Sequence, residues 1–307
     1  MRIHLKSSAA ALTTMILVAA AASLAQNLSK AEIKTVPVAG NVSMLTGAGG
    51  NIGVSVGEDG VLLIDDGCLQ IVDRVKTAVA AFHPGPIRFA LNTNWHTDHA
   101  NGNELLARAG AVIIAHENSR RHMLSEQIYP EFGADAKVPP YPKEALPVIT
   151  VGDALTLHFN GDEIRMVHVA NAHSDGDLIF RFDKANVIHA GDIFFSSGFP
   201  FIHVSGGGTI AGMIKAQDFL LGMCDERTKV VPGHGPVSDR GGVRAFKDLL
   251  VAGRDRIANL IKSGKSLEEA IAAKPVEGLY KGGKSMISSD TFVKVVYGDL
   301  TGKYRKP

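Results

Sequence analysis

The sequence predicts an α/β protein of two similar halves, each a set of short strands followed by helices, with helices covering two packed sheets. Two patterns carry that expectation. Short apolar runs bounded by glycine and proline recur in both halves, and each set gives way to longer stretches with apolar residues at helical spacing. The chain has 307 residues and is 45% hydrophobic, which is enough apolar material for one large domain or two small ones.

The first 25 residues stand apart. Arg2 and Lys6 precede the apolar stretch Ala9 to Ala22, and Ser23-Leu24-Ala25 offers small residues for a cut after Ala25. These are the three parts of a secretory signal peptide. The apolar stretch falls short of the roughly 20 residues that span a bilayer, so the expectation is export with cleavage. That leaves residues 26–307 as one domain, periplasmic or secreted, with no stable membrane anchor.

In the first half, strands are expected at Val42 to Thr46, Ile52 to Val56 and Val61 to Ile64, separated by glycine-rich turns. Gly47-Ala48-Gly49-Gly50-Asn51-Ile52 resembles a dinucleotide fingerprint only superficially. Ile52 stands where the third glycine belongs, and a strand pattern follows in place of a helix. The apolar spacing of Leu69 to Phe82 predicts a helix, ended by His83-Pro84-Gly85-Pro86. A strand follows at Ile87 to Leu91, then a helix from Asn101 to Ala109 with Asn101 and Glu104 as a capping box. A strand at Ala111 to Ala115 and a helix at Glu117 to Tyr129 complete this half. Pro130 to Pro147 holds five prolines, reads as a long surface loop, and marks the boundary between halves.

Strands resume at Val148 to Val151, Leu155 to Phe159, Ile164 to Val169, Leu178 to Phe182 and Val187 to Ala190. Helices follow at Thr209 to Met223, Val243 to Ser263, Leu267 to Ala273 and Asp290 to Tyr304.

Charge narrows the partners. With 32 basic and 31 acidic residues the net charge is +1, and no basic patch or amphipathic basic helix stands out. No nucleic-acid footprint is therefore expected; the partner is a small-molecule substrate. The two cysteines, Cys68 and Cys224, lie in no metal-ligand spacing and read as small buried side chains.

The chemistry concentrates in Asn92 to Asn103, NTNWHTDHANGN, directly after the strand Ile87 to Leu91. His96, Asp98 and His99 are good zinc ligand types, and Asn94 is a weaker one. Three further strands end in the same way. Ile164 to Val169 leads to His173, Val187 to Ala190 leads to Asp192, and Lys229 to Gly233 leads to His234. In open α/β sheets the ligand crevice lies at the carboxyl edge of the strands, so these residues can meet. Glycines at 191, 233 and 235 allow the tight bends required. His83, His116, His122, His158, His168, His189 and His203 lack this context and are assigned to surface or core, with His116 and His203 the two nearest the pocket.

In this order the motifs resemble those of the metallo-β-lactamase superfamily of zinc hydrolases: H-x-H-x-D-H, then His, Asp and His. The match spans nearly the whole mature chain, through Asn92–Asn103, Ala172–Asp177, His189–Asp192 and Pro232–Pro236. The resemblance implies an αβ/βα four-layer sandwich holding one or two zinc ions between the sheet edges. By position, one site would be Asn94, His96 and His173; the other would be Asp98, His99 and His234, with Asp192 bridging. Asn94 departs from the pattern, since the superfamily has histidine there and a neutral amide oxygen is the poorer zinc donor. A mono-zinc lactamase subclass shares the asparagine but uses a cysteine ligand and lacks the histidine after the aspartate. The second site should therefore fill first.

The implied reaction is attack of zinc-activated water on an amide or ester carbonyl, with Asp98 orienting the water and accepting its proton. A β-lactam leads as substrate. Lactones and thioesters are the alternatives within the fold, since fold alone does not fix function. From another class comes a non-catalytic zinc-binding accessory protein, with Asn94 as its mark. Tyr129, Tyr141 and the loop Ser196 to Gly208 are candidates to line the pocket.

Overall fold

The structure, a computed structural model, describes residues 31–47, 49–133, 136–283 and 285–304. The proposed signal segment lies outside the described residues. The chain enters as an antiparallel meander of β1 (Lys34–Ala39), β2 (Val42–Thr46), β3 (Ile52–Gly57) and β4 (Gly60–Ile64). Helix α1 (Val72–Ala80) then crosses over to β5 (Ile87–Leu91), which runs parallel to β4. The short helices α2 (Thr97–Ala100) and α3 (Asn103–Arg108) lead to β6 (Val112–His116), parallel to β5. After α4 (Glu117–Met123) the chain leaves the sheet as a small hairpin, β7 (Gln127–Ile128) with β8 (Lys137–Val138). It returns as β9 (Ile149–Val151), which pairs with β6.

The second sheet runs β10 (Ala154–Phe159), β11 (Asp162–His168), β12 (Leu178–Phe182), β13 (Val187–Phe195), β14 (Lys229–His234) and β15 (Ser238–Asp239), in that spatial order. Helix α5 (Ile210–Met223) connects β13 to β14, a parallel pair, and α6 (Arg240–Lys262), α7 (Leu267–Ala272) and α8 (Ser289–Thr301) close the chain.

Strand period explains the layering. Successive side chains point to opposite faces, and every residue of β4 is buried. Leu62 and Ile64 pack with Leu91, Ile164, Phe180 and Val231 between the sheets. Val61 and Leu63 point the other way, onto Val72, Val75 and Leu106 of the covering helices. In the second sheet Ile188, Ala190 and Val230 meet Met213, Leu220, Phe246 and Phe292 of the helices outside. The order is helix, sheet, sheet, helix: the expected four layers.

Several local expectations are corrected. The strand at 149–151 belongs to the first sheet, so the chain crosses between halves after the proline-rich segment and not within it. Alternation reveals a strand but not its partner. The helix expected to reach Tyr129 stops at Met123, because the Gln127 amide donates to the His122 and Ser125 carbonyls and turns the chain into the hairpin. The proline-rich loop holds β8 and a 3₁₀ turn, Lys143–Ala145. No capping box forms at Asn101, which ends α2; α3 starts after Gly102, and Glu104 pairs instead with Arg108. Edge strand β1 was not anticipated; Pro37 interrupts its pattern, as an edge position allows. Cys68 and Cys224 are free thiols, the first half-buried and the second buried.

Candidate metal centre

Four strands, β5, β11, β13 and β14, bring the donors to one edge of the sandwich. β5 leads through buried Asn92 and Thr93 to Asn94 and His96. His96 is the N-cap of α2, whose single turn presents Asp98 and His99. His173 lies on the turn after β11 and His234 ends β14. Asp192 sits inside β13 and not beyond it, because that strand continues to Phe195 across an irregularity at Gly191. Gly191 adopts φ +52°, and a Cβ there would come 2.6 Å from Thr93, so only glycine fits.

These side chains form two groups, His96 with His173 and Asp192, and Asp98 with His99 and His234. Within each group the donor atoms all lie within 4.8 Å of one another. His99 Nε2 lies 3.1 Å and His173 Nε2 3.5 Å from Asp192 Oδ2. His234 Nε2 is 3.3 Å from both Asp98 Oδ2 and Asp192 Oδ1. Tetrahedral ligands at about 2.1 Å from zinc stand roughly 3.4 Å apart, so the spacing suits a shared ion. His99 Nε2, His173 Nε2, His234 Nε2 and Asp192 Oδ1 are buried without a hydrogen-bond partner among the described residues. Buried polar atoms left this way are costly unless something else satisfies them, and the donor set fits zinc.

A second layer orients the rings. Asp65, at φ +63° just past β4, contacts His99 Nδ1 at 2.7 Å through Oδ2 and is itself held by the Thr93 N–H and hydroxyl. Asp177 Oδ1 lies 3.3 Å from His173 Nδ1. His203 Nδ1 meets His96 Nε2 at 2.9 Å, which leaves His96 Nδ1 to face an ion. Tyr129 stacks on the His203 ring at 4.4 Å.

Electrostatics follow from this crowding. Burial and the neighbouring His173 push His96 down to about 3, so it is a neutral imidazole. Burial alone would also lower His99 and His234. The surrounding carboxylates win, raising His99 well above its ordinary value and His234 to about 9. Asp98 is held below the usual carboxylate range: burial opposes this, but His99 and His234 outweigh it.

Asn94 stands beside the cluster. Its Oδ1 accepts the His96 N–H at 2.8 Å, and its Nδ2 faces Asp192 Oδ2 at 3.4 Å. In this rotamer the amide turns its donor edge, not a lone pair, toward the donors. Of the other residues weighed from sequence, Tyr129 and Phe201 line the adjacent cavity. Tyr141 instead donates its hydroxyl to the Trp95 carbonyl behind the loop. His116 stacks on His168 at 3.7 Å and caps α4, whereas His203 is in the site. Asp65 and Asp177 were missed. The rule that picked the candidate donors, a polar residue at the carboxyl end of a buried strand, also marks Asp65.

A family profile described as the metallo-beta-lactamase superfamily matches residues 45–234. A hydroxyacylglutathione hydrolase of Pelagibacter ubique is 25% identical over 188 residues, 54% of this chain and 68% of that protein. Among solved structures, a metallo-beta-lactamase from Pontibacter korlensis superposes with a TM-score of 0.57 at 15% identity, covering 72% of this chain and 99% of its own. A stereoselective inverting sec-alkylsulfatase from Pseudomonas sp. gives 0.61 at 15% identity, covering 86% of this chain but only 49% of its own. At these identities the structural matches speak for the fold.

Proposed function

The chain belongs to the metallo-β-lactamase superfamily of hydrolases, and from that premise we propose a zinc-dependent enzyme that hydrolyses an amide or ester carbonyl, with β-lactams the leading substrates. The reading is carried by the convergence of the buried His99, His173 and His234 Nε2 atoms on Asp192. His96, His173 and Asp192 would hold one ion, and Asp98, His99 and His234 the other, with Asp192 between them and Asn94 at the margin of the first. When bound, zinc lowers the pKa of a water to roughly 7 and polarises a carbonyl.

The remaining work falls to the chain. Asp98 is the half-exposed member of its group and lines the cavity, and its depressed pKa keeps it a carboxylate. It orients the attacking water and accepts the proton as general base. Asp65, Asp177 and His203 fix the ring orientations, so the donors need no rearrangement during the reaction. Export through the first 25 residues would place the enzyme in the periplasm or outside the cell, where β-lactams meet their targets. The similarity to a hydroxyacylglutathione hydrolase favours a thioester as the alternative, and a lactone fits the same chemistry.

A panel of β-lactams, lactones and thioesters, assayed on zinc-loaded protein beside His234→Ala, tests the reading. Turnover of one class that is lost in the variant is expected. A protein that takes up zinc yet hydrolyses none of the three would be a zinc-binding accessory protein instead.

A further inference from the structure

Next to the two donor groups lies a cavity of about 350 Å³ whose floor is His96, Thr97, Asp98 and Asp192. Its walls differ sharply from its floor: Tyr129, Phe132, Val138, Phe201, Met286 and Ile287. Phe132 and Met286 are 52% and 54% exposed, although both are apolar and both sit at this one cleft. Clustered exposure of that kind marks a recognition surface, where scattered exposure would not.

Both walls are anchored. On the hairpin side the carboxylate of Glu131, 1% exposed, accepts the Ser205 N–H at 2.7 Å and the Ser205 hydroxyl at 3.1 Å. On the other side the Ser285 hydroxyl accepts the Phe199 N–H at 2.9 Å and donates to the Ile287 carbonyl at 2.6 Å, while Phe199 and Ile287 form a bridge. The Phe132 and Phe201 rings stack at 4.7 Å, giving the space a flat aromatic side. Among the described lining residues Lys137 is the single cation, and it pairs with Glu126 at 3.1 Å. At about 350 Å³ the cavity stands at the small end of ligand pockets, a size that suits a scissile group and one ring.

We infer that this cavity selects substrates carrying one neutral aromatic ring next to the scissile carbonyl, with Phe132, Phe201 and Met286 as specificity determinants. The inference rests on the hydrolase reading for the position of the carbonyl. It argues against a substrate bound chiefly through anionic groups.

The test uses zinc-loaded full-length protein and two product-like acids, phenylacetate and acetate, titrated by calorimetry. Phenylacetate should bind at least about tenfold more tightly, as burial of a ring demands. The double variant Phe132→Ser with Met286→Ser, at two half-exposed positions, should cut the ratio below about threefold, and Phe201→Leu should reduce it in part. Equal affinity for the two acids overturns the inference, as does a ratio that the double variant leaves unmoved. Matched phenylacetyl and acetyl thioesters of a neutral thiol separate this claim from the last. A ring preference in binding with no turnover of any substrate class keeps the pocket and sinks the hydrolase. Turnover of both thioesters at equal efficiency keeps the hydrolase and sinks the pocket.

Discussion

Asp192 belongs to the His96 group and also faces His99 and His234 of the other, and the two groups differ in what else surrounds them. Asp98, His99 and His234 bring a carboxylate of their own, and a second, Asp65, stands behind His99. In the other group the neutral amide of Asn94 stands against Asp192 and the His96 backbone, and His96 is backed by another imidazole, His203. Only His173 has a carboxylate, Asp177, at its back. A dication gains most where negative charge is densest. The asymmetry teaches that two sites with equal numbers of ring nitrogens need not be equal sites.

The sharpest break of this comparison is a pair of truncations. Asp98→Ala should lower hydrolysis by about 10³-fold, since it removes both a donor and the proposed general base. Asn94→Ala should cost about tenfold or less. Steady-state rates on whichever substrate the panel identifies decide it, and equal losses would erase the distinction between the groups.

Second-layer substitutions come next. Asp65→Asn should weaken zinc at the Asp98 group by about 10- to 100-fold and leave the His96 group alone, while His203→Ala should do the reverse. Competition with a chelator, resolved into two binding steps, reads both. Restoring an imidazole works in the opposite direction: Asn94→His should tighten the His96 group by roughly tenfold, so that both ions bind together. An unchanged binding curve would place Asn94 outside the ligand shell.

The smallest effect is a slope. Ions displace protons from their ligands. His99 and His234 are raised by their carboxylates, His234 to about 9, so both hold protons at neutral pH in the ion-free group. Zinc affinity there should climb as pH rises from 7 to 9. In the other group His173 is raised, against burial, by Asp192 and Asp177, but His96 is lowered to about 3 and has nothing to release. Its slope should be shallower, and calorimetry in buffers of different ionisation enthalpy counts the protons.

The candidate donors could be named from sequence because each lies in or close after a buried strand, where local order in the chain equals local order in space. The four-layer arrangement was legible for the same reason: strand and helix periods survive in sequence. What stayed hidden depends on distant partners. His203 meets His96 across 107 residues, and no pattern near either announces it. The edge position of β9 depends on β6, and the early stop of α4 depends on one glutamine side chain. The pocket walls come from three separate segments joined by Glu131 and Ser285, so their composition could be read but not their adjacency.

Between β6 and β9 the chain departs from the first sheet, forms α4 and the β7–β8 hairpin, and comes back one strand further along. Parallel pairing of β6 with β9 clasps the base of this excursion. Its outer residues, Phe132 among them, can therefore change side chain while the donors on the other strands keep their places. If the cavity selects the substrate as inferred, part of that choice rests on a length of polypeptide that carries none of the donors.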